Sequence, residues 1–213
     1  IPGKIYLCPD VSGSMHSAAT GFRKGATSAV RCLDVAALVS AAFVRRNTSA
    51  EVLPFSDDVV KMPRKLNPLD SVMTNAELLA GLPSGGTACS APLRRLNEER
   101  AKGDIVIFVS DNQSWADFAK AGDAKKGLAS FLGVGSRATV MAEEWDRFRS
   151  RNPNAKLVLI DVQPYGSTQM HERADVLNVG GFSDSVFEVV SLFAKGGLGA
   201  DHWVGAINGV SLA

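Results

Sequence analysis

Short apolar runs alternate along the chain with longer stretches in which apolar residues recur every three or four positions. The runs at 4–8 (KIYLC), 50–55 (AEVLPF), 104–111 (DIVIFVSD), 155–162 (AKLVLIDV) and 174–181 (ADVLNVGG) predict strands, and 58–62 (DVVKM) predicts a short edge strand beside the second. Residues 105–109 form five successive apolar positions, mostly β-branched, as in a strand covered on both faces. Helical stretches lie at 30–46, apolar on more than one side, and at 69–82, ending at Pro83. Others lie at 89–100, with charges along the outer side, near 140–151, and at 183–197. The last has Ser183 or Asp184 as a cap and glycines as its stop. A long polar, Gly-rich connection separates Asp111 from the fourth helix.

Strands alternating with helices imply right-handed crossovers, hence an α/β fold of three layers with a mostly parallel central sheet. Residues 4–196 read as one domain of this kind. The tail, 197–213, fits no periodicity, and its Trp203, Val204 and Ile207 suit packing either on this domain or on a missing neighbour. Ligands of such sheets collect at the carboxyl ends of the strands. Three of those ends are polar here: LCPDVSGSM, FVSDNQSW and IDVQPYG.

Composition changes this picture little. With 23 basic and 22 acidic residues the net charge is +1, so no global attraction to nucleic acid or membrane is present. No apolar run reaches the ~18 residues of a membrane span. The start, IPGKIYL, is no signal peptide and lacks an initiator Met, so the chain reads as processed or cut from something longer. Cys8, Cys32 and Cys89 are odd in number, widely spaced and free of any CxxC pattern. They read as reduced residues of an intracellular protein, with the cytoplasm as the expected location.

Candidate chemistry changes it more. Asp10, Ser12 and Ser14 stand at alternate positions of a turn whose Gly13 relaxes the backbone. Asp111 closes a second strand as Asp10 closes the first, and Thr87 follows paired glycines in SGGTACS. Three loops thus offer two carboxylates and three hydroxyls, an all-oxygen set of the kind hard cations take. Two charges with neutral hydroxyls leave a divalent ion incompletely coordinated, open to water, a carboxylate or a phosphate.

This ordered set, Asp10-x-Ser12-x-Ser14, then Thr87, then Asp111, resembles the metal-ion-dependent adhesion site of a von Willebrand factor A domain. VIFVSDNQSW and ADVLNVGGFSDSVFEVVSLF resemble the corresponding stretches of the Ro autoantigen (TROVE) family, whose members join a helical-repeat RNA-binding ring to such a domain. The region at about 122–140 is longer than that family's usual connection and is not carried over. The resemblance implies a metal-binding interaction module and not an enzyme. Ser12 and Ser14 would contact Mg²⁺ (or Mn²⁺ or Ca²⁺) directly; Asp10, Thr87 and Asp111 would do so directly or through water. It also implies a ribonucleoprotein setting, with RNA held mainly by a missing helical-repeat domain and an acidic or phosphate-bearing protein or RNA ligand at the metal.

Other readings compete. The turn at Asp10 can be a plain strand-to-helix turn, though Thr87 and Asp111 would then be coincidences. A generic A domain with a protein partner unrelated to RNA is the nearest alternative. An aspartyl phosphotransfer enzyme commonly carries a second Asp two residues on, where Ser12 stands. A serine hydrolase lacks its base, because His16 is too close to Ser14 for an obvious triad and no G-x-S-x-G surrounds either serine. GVGSRA at 133–138 reads as a loop rather than a dinucleotide fingerprint. His171 and His202 read as surface or packing residues, and Trp115 as a packing anchor under the metal loop or else a contact surface for a partner. Arg147 and Arg151 share a helical face with Arg149 offset, which reads as a solvated basic run.

Overall fold

The computed structural model describes residues 1–20, 29–111, 139–163, 170 and 173–197. Its centre is a five-stranded sheet made of β1 (Ile5–Pro9), β2 (Glu51–Val52), β3 (Ile105–Ser110), β4 (Lys156–Asp161) and β5 (Val176–Gly180). The strand order is β2-β1-β3-β4-β5, and every pairing is parallel. Among the described residues, five helices flank it: α1 (Cys32–Arg46), α2 (Val72–Ala80), α3 (Ala91–Glu98), α4 (Thr139–Arg151) and α5 (Ser185–Ala194).

The period-2 alternation of the strands divides the core into two slabs. Ile5, Leu7, Ile107, Val109, Val158 and Ile160 face α1, α2 and α5, where they meet residues such as Leu33, Phe43, Leu79 and Val190. Tyr6, Cys8, Val106, Phe108, Leu157 and Leu159 face α3 and α4, against Leu93, Leu96, Trp145 and Phe148. All residues of β1 and β3 are buried, as a strand covered on both faces requires. The three-layer α/β expectation is therefore met. The three cysteines are free and buried. Among the described residues no helix is long and apolar enough to cross a membrane.

Two local expectations need correction. The 58–62 stretch is not an edge strand; it returns through a turn with one antiparallel bridge, Phe55 to Val59. Pro54 explains this: its carbonyl accepts from the Val60 N–H at 2.7 Å, but it has no N–H to give back. On its other side the ladder continues, since Leu53 and Phe55 still donate to Leu7 and Pro9 of β1. At α5, neither Ser183 nor Asp184 caps the helix through its side chain; the Ser183 hydroxyl bonds that of Ser185 at 2.7 Å instead. The glycine stop is present. Gly196, at φ +85°, turns the chain so that Gly197 donates to the Leu192 carbonyl.

Two of the three α4 arginines reach across to other elements, while Arg147 stays on the solvated face as expected. Arg147 pairs with Glu144 and Arg149 with Asp175, while Arg151 donates to the Asn97 side chain. These partners lie on α3, on α4 itself and in the segment just before β5.

Candidate metal centre

The site is built where β1 and β3 end side by side. Parallel register sets Pro9 opposite Val109, and the Asp10 N–H continues the ladder to the Val109 carbonyl at 2.9 Å. Asp10 is thereby locked at the sheet edge, wholly buried. One carboxylate oxygen accepts from the Ser12 N–H at 2.8 Å, the local turn that a short acidic side chain favours. The other accepts from the Ser110 hydroxyl at 2.7 Å. The chain then enters a short 3-10 turn, Gly13–His16.

A second loop comes across to meet this turn. The Gly13 N–H donates to the Gly85 carbonyl at 2.8 Å, and the Ala88 N–H to the Ser56 carbonyl at 2.8 Å. Gly85 keeps the approach open: a Cβ there would stand 2.2 Å from a carboxylate oxygen of the exposed Asp57, which would have to swing aside, and 3.2 Å from the Ser56 hydroxyl. The result is a line of hydroxyls, Ser12 to Ser14 at 3.1 Å and Ser14 to Thr87 at 3.5 Å. Thr87 is buried, and so is Asp111, the residue that follows β3.

Electrostatics mark the same spot. Burial pushes the Asp10 carboxyl up to about 7; its bonds from Ser12 and Ser110 pull it down, and the Asp111 carboxylate raises it further. Two carboxylates that repel in a desolvated pocket are what a divalent cation would relieve. Spacing also suits a cation. Adjacent oxygens of an octahedral Mg²⁺ shell lie √2 bond lengths apart, about 2.8–3.0 Å. The 3.1 Å pair is close to that spacing, and the 3.5 Å pair is wider. Among the described residues no group of three or more His, Cys, Asp or Glu side chains could hold a metal. An ion held here would rest on hydroxyls and the two carboxylates.

The structure thus brings Asp10, Ser12, Ser14 and Thr87 into one hydrogen-bonded set with Asp111 beside it. Sequence reasoning missed Ser110, a lone hydroxyl closing an apolar strand directly before Asp111. It also passed over His16 as a structural link: its Nε2 lies 2.8 Å from the Ser84 hydroxyl. At the third polar strand end, Asp161 accepts from the Gln163 N–H at 3.0 Å, and the Cys32 thiol donates to the Gln163 side chain at 3.8 Å. Burial pushes that thiol up, and Asp111 and Asp161 add to the effect while a Ser17 bond opposes it, so Cys32 stays a neutral neighbour. Trp115, the 133–138 loop, His171, His202 and the tail from 198 lie outside the described residues.

A family model described as the Ro60 vWA domain matches residues 4–162, a span that holds all five candidate oxygen donors. RNA-binding protein RO60 of Caenorhabditis elegans is 24% identical over 200 residues, covering 91% of this chain and 26% of that protein. RNA-binding protein RO60 of Deinococcus radiodurans is 24% identical over 190 residues, 89% of this chain and 31% of that protein. The chain therefore spans about a quarter to a third of the length of these curated relatives. The crystal structure of the D. radiodurans RO (RSR) protein has the same fold, with a TM-score of 0.65 at 21% identity, over 91% of this chain and 34% of that one.

Proposed function

The chain belongs to the Ro60 vWA domain family, and on that premise we propose that it is a divalent-metal-binding interaction module of an RNA-binding protein. Ser12 and Ser14 hold Mg²⁺, or Mn²⁺ or Ca²⁺ in its place, directly. Asp10, Thr87 and Asp111 complete the shell directly or through water. The bound ion supplies a positive centre on which an acidic or phosphate-bearing ligand can place an oxygen. This chain's residues hold that centre at the sheet edge: Ser110 orients Asp10, and the Gly85 loop delivers Thr87. RNA itself is gripped mainly by a helical-repeat part outside this sequence. The bonding of Arg149 to Asp175 and of Arg151 to Asn97 supports that division, since it occupies two of the three α4 arginines within the protein. The relatives are named RNA-binding proteins, which accords with a binding role rather than a catalytic one.

The observation that carries this reading is the hydroxyl line Ser12–Ser14–Thr87 beside two buried carboxylates. Asp111→Ala tests it. Groups that merely orient a metal ligand are worth about 10–100-fold in affinity, and a charged ligand is worth at least that. Mn²⁺ binding measured by calorimetry should fall by two orders of magnitude or more, with the circular dichroism spectrum unchanged. Binding within a few-fold of wild type would refute the site.

A further inference from the structure

We propose that the stretch 198–213 folds back on its own domain and docks through Trp203 in a groove between α1 and α5. Helix α5 carries more apolar residues than its core face uses. Val186, Val190 and Phe193 are buried in the core slab on the α1 side of the sheet. Phe187, Val189 and Leu192 are apolar too, yet only half-buried. A helix that is apolar on more than one side is covered on more than one side.

The second side of α5 is one wall of a groove of about 1010 Å³. Phe187, Ser191 and Leu192 line it from α5, and Ala42 faces them from α1. Phe187 is set in place from behind by Phe43, with ring centroids 4.8 Å apart. Charges of both signs stand around the groove. Asp184 and Glu188 lie toward the start of α5 and Lys195 at its end, while Arg45 and Arg46 come from α1.

The path of the chain out of α5 identifies the occupant. The Gly197 N–H turns back to the Leu192 carbonyl at 2.9 Å, and a Cβ on Gly197 would stand 2.4 Å from Leu192 Cδ1. The backbone therefore leaves the helix lying on a side chain that lines the groove. At 1.5 Å per residue α5 is about 15 Å long. Trp203 can stand up to about 20 Å from Gly197, so its ring reaches any point along the helix. The composition of 198–213 matches the groove as well. The stretch has no Lys or Arg; Asp201 comes first, then Trp203, Val204 and Ile207. Asp201 suits the Lys195 end, where the chain enters, and the apolar side chains suit Leu192 and Phe187 beyond it. A segment tethered this closely acts at an effective concentration on the order of mM, which favours it over a second copy in dilute solution. The docking does not depend on the metal reading.

Fluorine NMR of the whole chain labelled with fluorotryptophan tests this, with Trp203→Phe assigning the Trp203 signal among the three tryptophans. The shift of each signal between H₂O and D₂O reads the exposure of its ring. In wild type the Trp203 signal should move far less than free fluorotryptophan does, at every protein concentration. Ser191→Arg and Ala42→Arg crowd the groove from opposite walls, and each should raise the Trp203 solvent shift to the free value. The signal of the buried Trp145 should stay in place, which identifies a variant that has folded. A Trp203 ring exposed in wild type, or one still buried in a folded groove variant, would overturn the proposal. Burial that grows with protein concentration would overturn it too, because a second copy would then fill the groove.

Discussion

Asp10→Asn is expected to stabilise the metal-free protein above neutral pH while removing its affinity for Mg²⁺. The folded-state pKa of Asp10 stands near 7 against an ordinary 3.8, chiefly because the carboxyl is buried. A raised folded value means that the native state keeps its proton where the unfolded chain has lost it. The stability this confers is complete below about pH 4 and is lost as pH rises through about 7. Over that window the cost of ionising Asp10 in place is roughly 2–4 kcal/mol, a large share of a typical net stability. An amide of the same shape avoids it. Its oxygen can still accept from the Ser12 N–H, and its NH₂ can donate to the Ser110 hydroxyl. Urea denaturation in chelator should show wild type losing stability between about pH 4 and 7 and Asp10→Asn staying nearly flat. Adding Mg²⁺ should raise the wild-type midpoint and leave the variant unmoved. A variant less stable than wild type at pH 8, or one that still binds Mg²⁺, would contradict this account of the pocket.

Trp145→Ala should be the most damaging change away from the site. Trp145 is fully buried between α4 and the sheet, stacks on Phe148 with ring centroids 5.6 Å apart, and donates from Nε1 to Asp175 at 2.7 Å. Truncation leaves a cavity costing about 3–5 kcal/mol. It also strips a buried carboxylate of a donor, worth about 1–3 kcal/mol more. Set against a net stability of about 5–15 kcal/mol, this brings the fold close to its limit. Trp145→Phe separates the two terms, since it keeps most of the packing and removes only the donor. Burial pushes the Asp175 carboxyl up, but Trp145, Arg173 and Arg149 outweigh it and leave it below the ordinary value. Stability from this group is therefore present above the unfolded value and lost as pH falls through the folded one. The Phe variant should lose less on acidification than wild type. Urea midpoints at pH 7 and pH 3 measure both effects. A loss under about 1 kcal/mol for Trp145→Ala would show that α4 is not anchored through this residue.

The legible parts of the fold were those whose physics is local. β3 announces itself because a doubly covered strand must be apolar throughout. Asp10, Ser12 and Ser14 were legible as one group because a turn with small residues at alternate positions converges its side chains. Thr87 and Asp111 could be added because each follows a glycine pair or a strand end. What escaped depends on partners distant in the chain. Ser110 serves Asp10 across a separation of 100 residues, and only the parallel register of β1 and β3 brings them together. The His16–Ser84 link spans 68 residues and has no local signature. The 58–62 stretch had strand composition, yet Pro54 withheld the N–H that a neighbour would need. Arg149 and Arg151 looked like part of a solvated face because Asp175 and Asn97 arrive from other parts of the chain.

Calorimetric titration of Mg²⁺ and Mn²⁺ into the wild-type protein, beside the Ser12→Ala/Ser14→Ala variant, tests the central claim most directly. The account predicts saturable binding of a single ion by wild type and none by the variant, with both proteins folded. Equal binding by the two, or no binding by a folded wild type, would contradict it and leave LCPDVSGSMHS as a turn that joins a strand to a helix.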